Sequence, residues 1–213
     1  MQITHLGHSA VLVEAAGVRL LLDPGNLSDA WHGLTGLDAV LVTHQHPDHV
    51  DAAHVPALLT ANPGARILVE PSVIRQVPLE RAEPLAPDGS VTIGTLTIAA
   101  VGGLHAVIHR DIPRIGNVGV VLSAEGEPTL FHPGDSLEAV PAGIDVVAVP
   151  LHAPWAAMKE HIDFLRALGA PAGFPIHDGL VNERGWQMAF GRYNEMTQTK
   201  LVDLRDAKAW RPA

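Results

Sequence analysis

Apolar residues fall along this chain in short runs separated by Gly, Pro, Asn and Asp, a pattern that predicts many strands and few helices. Residues 3–14 and 18–22 read as two strands joined at Ala15-Ala16-Gly17. Residues 39–42 form a continuous apolar run, as a strand buried on both faces would. Further strands are predicted over 65–69, 117–123, 129–131, 144–149, 172–176 and 200–204, with a hairpin of 91–93 and 96–101 around Gly94-Thr95. Helical character is confined to 51–59, 155–168 and 183–193. In 155–168, Met158, Ile162, Leu165 and Leu168 fall on one side, Lys159 and His161 fall on the polar face, and Gly169 closes the helix. No linker, repeat or low-complexity segment interrupts 1–213, so the chain reads as one domain of mixed α and β structure.

The run at 39–42 leads into Thr43-His44-Gln45-His46-Pro47-Asp48-His49. His44, His46, Asp48 and His49 fall within six residues, too many ligand groups for one ion to use comfortably. In extended backbone His44 and His46 point the same way, while Pro47 lets Asp48 and His49 turn toward a second position. Two adjacent metal sites fed by one loop is the simplest reading. Imidazole and carboxylate together suit zinc, manganese or iron rather than calcium or magnesium.

His44-x-His46-x-Asp48-His49 resembles the signature of the metallo-β-lactamase fold superfamily. Leu6-Gly-His-Ser-Ala-Val-Leu-Val13, with Leu21-Leu-Asp-Pro24 after it, resembles the branch of L-ascorbate-6-phosphate lactonase-like hydrolases. The resemblance implies an α+β fold, a four-layer αββα sandwich. It implies His105, after Gly102-Gly103, as a third ligand beside His44 and His46, and His177 as a partner of Asp48 and His49. It also implies that Asp135, in His132-Pro-Gly-Asp135-Ser136, bridges the two ions, and that Asp23 orients a ligand histidine. His8 is a weaker candidate for a place near the site. His109 is the rival to His105, His132 reads as supporting or structural, and His152 as a residue that can line the pocket. Gly7-His8-Ser9 is not a nucleophile elbow, because position 11 is Val and no helix follows.

Composition narrows the function. With 47% hydrophobic and 17% charged residues the chain is globular, and with 4% aromatics its core must be built mainly from Val, Leu, Ile and Ala. A formal net charge of -9 excludes a broad nucleic-acid-binding surface. The absence of Cys excludes disulfides and thiolate ligands. The N-terminus resembles neither a signal peptide nor a membrane span, so a cytoplasmic location is expected. The expected cofactor is two divalent transition-metal ions, zinc first and manganese or iron as alternatives. The expected activity is hydrolysis of an ester, lactone or phosphodiester by hydroxide from a dinuclear site, with Asp48 and Asp135 as catalytic carboxylates and a small anionic substrate. Arg110 and Arg114 either receive that substrate or face solvent. The alternatives are a non-catalytic metal-binding or regulatory protein on the same fold and, last, a di-iron redox centre, for which no flavin-binding segment is visible.

Overall fold

The computed structural model describes residues 1–213. Its first sheet holds β1 (Gln2–His5), β2 (Val11–Ala15), β3 (Val18–Leu22), β4 (Ala39–Val42), β5 (Arg66–Val69) and β6 (Ala82–Pro84), side by side in that order. The second holds β7 (Ser90–Ile93), β8 (Leu96–Val101), β9 (Gly119–Ser123), β10 (Leu130–His132), β11 (Val146–Pro150), β12 (Ala172–Ile176) and β13 (Lys200–Leu201), again in sequence order. Each sheet begins antiparallel and turns parallel, at β3–β4 in the first and β10–β11 in the second. The helices are α1 (Val55–Ala61), α2 (Val73–Gln76), α3 (Met158–Leu168) and α4 (Glu183–Met196). None is long and apolar enough to cross a membrane.

The layering follows from strands that are apolar on both faces. In β4, Ala39 and Leu41 enter the core between the sheets with Ile98, Val120 and Phe174. Val40 and Val42 point the other way, into a cluster with Trp31, Val55 and Leu58. In β11, Val146 and Ala148 face the inter-sheet core, while Val147 and Val149 pack beneath Ile162 and Leu165 of α3 and Trp186 of α4. Three apolar layers separate four structural ones, which is the αββα sandwich.

Local departures from the sequence reading matter for the site. The run at 3–14 is two antiparallel strands, with Ile3 opposite Val13, folded at Leu6–Ala10. The turn needs left-handed backbone at Gly7 (φ 101°) and His8 (φ 49°), and it lifts His8 and Ser9 out of the sheet. The first helix begins only at Val55, with Pro56 in its first turn, so Asp51 precedes it. The helix expected from Trp155 begins at Met158, where the Ala157 N–H donates to Glu160 Oε2 at 2.6 Å, leaving Trp155 in the preceding loop. Gly169 ends α3 in left-handed conformation, as its position implies. His161 is not on a polar face. It is buried, because α4 packs against α3 and stacks Tyr193 on the imidazole at 5.7 Å. The final strand is shortened to Lys200–Leu201, and α2 and β6 lie outside the elements read from sequence.

Candidate metal centre

The ends of several strands deliver polar side chains to one place. His44, His46, Asp48 and His49 follow β4, His105 follows β8, Asp135 follows β10 and His177 follows β12. The turn between β1 and β2 adds His8. Two groups result: His44, His46, His105 and Asp135, and His8, Asp48, His49 and His177, with the ligand atoms of each group within 4.8 Å of one another. Asp135 belongs to both by distance. Its Oδ2 lies 3.4 Å from His105 Nε2 and 3.2 Å from His177 Nε2, and its Oδ1 lies 3.1 Å from His49 Nε2.

Hydrogen bonds from the rear fix which nitrogen each ring turns inward. His105 Nδ1–H donates to the Ala106 carbonyl, and His177 Nδ1–H to the His152 carbonyl, both at 2.7 Å. His49 Nδ1–H donates to Asp23 Oδ2 at 2.7 Å, and Thr43 supplies Asp23 with two more donors, its N–H and its hydroxyl. With Nδ1 fixed as a donor, Nε2 is the nitrogen that all three rings turn to the centre and would offer to a metal. His8 is wired the other way. Its Nδ1 accepts the Gly179 N–H at 3.1 Å, so its Nε2–H donates to Asp48 Oδ2 at 3.0 Å. His8 therefore holds Asp48 rather than offering a lone pair of its own.

Three of the seven non-glycine residues with positive φ lie here. His8, Asp23 and His177 all have positive φ, at 49°, 44° and 58°, a costly conformation for residues with a Cβ. Close approach is built in as well. A Cβ on Gly25 would lie 1.8 Å from the Asp48 carbonyl, and one on Gly134 would lie 2.3 Å from Asn117 Oδ1. Asn117 braces the turn before Asp135, accepting the Asp135 N–H at 2.9 Å and donating to the Pro133 carbonyl at 3.0 Å.

The two groups differ in protonation. Burial holds His44 well below the usual imidazole range, helped by the charge of His49, and burial likewise lowers His46. Burial also opposes charge on His49 and His177, but carboxylates outweigh it. Asp135 and Asp23 raise His49 well above its ordinary value, and Asp135 with Asp48 raises His177 to about 9. Burial works against ionisation of Asp48 and Asp135 too, yet the histidines around them keep both well below the carboxylate range.

His105 Nε2, Asp135 Oδ1 and His177 Nε2 are buried polar atoms without an aligned hydrogen bond in the protein, their nearest polar neighbours being one another's side chains and His49 at 3.1–3.4 Å. Three such atoms converging in one cluster are costly unless something else satisfies them. Imidazole nitrogens and carboxylates without thiolates suit a zinc-, manganese- or iron-type ion, so the donor set fits the implied metal.

The remaining sequence candidates divide. Asp23 touches His49 as the resemblance implies. His132 is structural: it accepts the Gly134 N–H, and its Nε2 lies 3.4 Å from the Ser9 carbonyl. His109 is exposed beside Asp111 and outside the cluster, and His152 contributes its carbonyl to His177. Arg110 points into solvent, and Arg114 donates to the His105 carbonyl and to Glu138 at 2.6 Å, so neither guanidinium faces the centre. Trp155 is a functional neighbour that the pattern hid, its Nε1–H donating to Asp135 Oδ2 at 2.9 Å. Only its aromatic type next to Pro154 hinted at a special position. Asn117 gave no signal beyond opening a strand.

Residues 2–177 match the beta-lactamase superfamily domain. The chain is 40% identical over 210 residues to the Mycobacterium tuberculosis protein Rv0786c, covering 98% of this chain and 99% of that one. It is 34% identical over 151 residues to a UPF0173 metal-dependent hydrolase of Rhizobium meliloti, which covers 64% of this chain and 63% of that protein. Among solved structures it resembles the metallo-beta-lactamase fold protein YhfI of Bacillus subtilis, with a TM-score of 0.74, 17% identity and 98% of each chain covered.

Proposed function

This chain belongs to the beta-lactamase superfamily, and on that premise we propose that it is a metal-dependent hydrolase working as one domain. The observation that carries the reading is the convergence of His105 Nε2, Asp135 Oδ1 and His177 Nε2, buried and without aligned hydrogen bonds in the protein, among rings already oriented to turn Nε2 inward. His44, His46 and His105 would hold one ion, Asp48, His49 and His177 the second, and Asp135 would lie between them. Divalent transition metals bound there would polarise a carbonyl or phosphoryl oxygen and make a water nucleophilic at neutral pH.

The chain's own residues supply the rest. Asp23 and Thr43 keep His49 in one tautomer, and the Ala106 and His152 carbonyls do the same for His105 and His177. His8 fixes Asp48 through Oδ2, and Asp48 is the carboxylate that would pass a proton to the leaving group. No Ser or Cys nucleophile is required. The bond class we propose is an ester, lactone or phosphodiester, with the reacting group anionic or strongly polarised, because Asp48 and Asp135 only partly neutralise two divalent ions. The stretch from Leu6 to Val13 puts a lactone first among substrates to test, through its resemblance to the lactonase-like branch.

Elemental analysis of purified protein should find close to two transition-metal ions per chain. Hydrolysis of at least one of the three bond classes should stop with chelator and return with zinc or manganese. Turnover that survives complete metal removal would overturn the reading. A fully loaded protein inert toward all three classes would instead assign it a non-catalytic metal-binding role.

A further inference from the structure

A groove of about 540 Å³ opens beside the candidate centre, a size suited to a small ligand. Its lining is mainly apolar, with Val107, Leu137, Val140, Trp155, Phe164 and Ala167 among its walls. Three of its lining residues adjoin the residues of the centre. Trp155 lines it while donating to Asp135 Oδ2. Ala106 lines it while its carbonyl accepts His105 Nδ1–H and its N–H donates to the Asp135 carbonyl. Leu137 lies two residues beyond Asp135. Val107 and Val140 are 53% and 45% exposed, and Leu104, Ile108 and Ile112 of the neighbouring loop are also exposed, a concentration of apolar surface that calls for an occupant.

Charge narrows that occupant. The groove's ionic groups are Glu138, Glu160 and Asp163, all acidic. Glu138 is paired with Arg114, whereas Glu160 and Asp163 have no cationic partner. An anionic chain lying here would meet apolar walls and two carboxylates that no cationic side chain pairs, Glu160 accepting only the Ala157 N–H. We infer that the groove binds an uncharged alkyl or aryl chain, so that the substrate is amphiphilic: a polar reacting group at the His–Asp centre and an apolar arm alongside Trp155. The substrate half of this inference rests on the hydrolase reading, whereas the groove's affinity for an uncharged chain does not.

Two measurements separate them. The first compares metal-loaded protein on p-nitrophenyl acetate, p-nitrophenyl hexanoate and the mono-p-nitrophenyl ester of adipate, whose chain ends in a carboxylate. Burial of the added methylenes should raise kcat/KM for the hexanoate about tenfold or more over the acetate, and the adipate ester should gain nothing. Val140→Asp and Ala167→Asp, both at exposed positions, should each remove most of that preference. The second titrates metal-free protein with N-hexylacetamide and follows backbone amide NMR shifts, which should concentrate at Val107, Leu137, Ala156 and Ala167. Equal efficiency on acetate and hexanoate, or preference for the adipate ester, would overturn the substrate class while leaving hydrolysis intact. Absence of turnover on these esters with shifts confined to the groove would overturn the amphiphilic ester as substrate and support the apolar site. Shifts scattered elsewhere, or a dimer in sedimentation that protects these amides, would overturn the groove assignment itself.

Discussion

The two ligand groups sit side by side, share Asp135, and hold protons in opposite ways. His44 and His46 are depressed by burial and stand ready as neutral rings. His49 and His177 are raised by the carboxylates around them and hold protons that a metal must displace. The difference arises from where the acids lie. Asp23 and Asp48 both face the second group, and only Asp135 reaches the first closely. In the metal-free protein, protons therefore neutralise clustered carboxylates where a cation would otherwise do so. We expect the first group to load with little proton release and the second to exchange protons for metal.

The harshest way to break this contrast is to remove the carboxylate common to both groups. Asp135→Ala should release both ions and abolish turnover, with affinity falling more than the 10–100-fold typical of outer hydrogen-bond partners. Elemental analysis after gel filtration checks it. Retention of one tightly held ion would show that the groups are independent.

A titration with metal at fixed pH values sharpens the contrast without mutation. Affinity of the second group should rise about tenfold per pH unit for each displaced proton, up to roughly pH 9, where His177 no longer holds one. Affinity of the first group should be nearly flat above pH 7. Competition against a chelator at pH 6.5, 7.5 and 8.5, with proton release measured in weak buffer, separates the two phases. A single phase with one common pH slope would contradict the asymmetry.

Asp23→Asn acts on one group only. It removes the charge behind His49 Nδ1 while leaving a side chain of similar shape, and Asp23 touches no member of the first group except through Thr43. Metal affinity should fall about 10–100-fold at the second group and change little at the first. Calorimetric titration resolves the two steps.

The same contrast governs what the sequence made legible. His44, His46, Asp48 and His49 are local in the chain, so their spacing alone indicated two sites. His105, Asp135 and His177 are brought in from the second sheet, and only a resemblance linked them, because no local pattern encodes which strand ends meet. The turn at Leu6–Ala10 was hidden by apolar residues on both sides, which made 3–14 look like one strand and left the grip of His8 on Asp48 out of view. The α3 face bearing His161 is buried by α4, a tertiary event absent from the helix's own periodicity. Trp155 reads as part of that helix, although the chain makes a turn between Ala153 and Ala156 that brings the indole onto Asp135. The buried strands β4 and β11 were legible as continuous apolar runs, whereas the four-layer order came from the resemblance, because periodicity gives only mixed α and β structure.

The smallest expected effect is on stability, and its sign tests whether protons take the place of metal. For His177 the folded value of about 9 lies above the ordinary unfolded value near 6.5. Stabilisation from its proton is then fully present below pH 6.5 and is lost as pH rises through about 9. The upper bound is on the order of 3 kcal/mol, which corresponds to a fall in Tm of roughly 6–12 °C for a chain of this size. Asp48 and Asp135, depressed instead, contribute stability above pH 4 that is lost in acid. Metal-free protein should accordingly have maximal Tm between about pH 5 and 6.5 and decline on the alkaline side, as thermal melts in matched buffers would show. Saturating zinc should abolish the alkaline decline, because a bound cation does not titrate away as the imidazolium does. If metal-free and metal-loaded proteins decline in parallel above pH 7, the raised histidines are not what balances Asp48 and Asp135, and the contrast between the two groups fails at its origin.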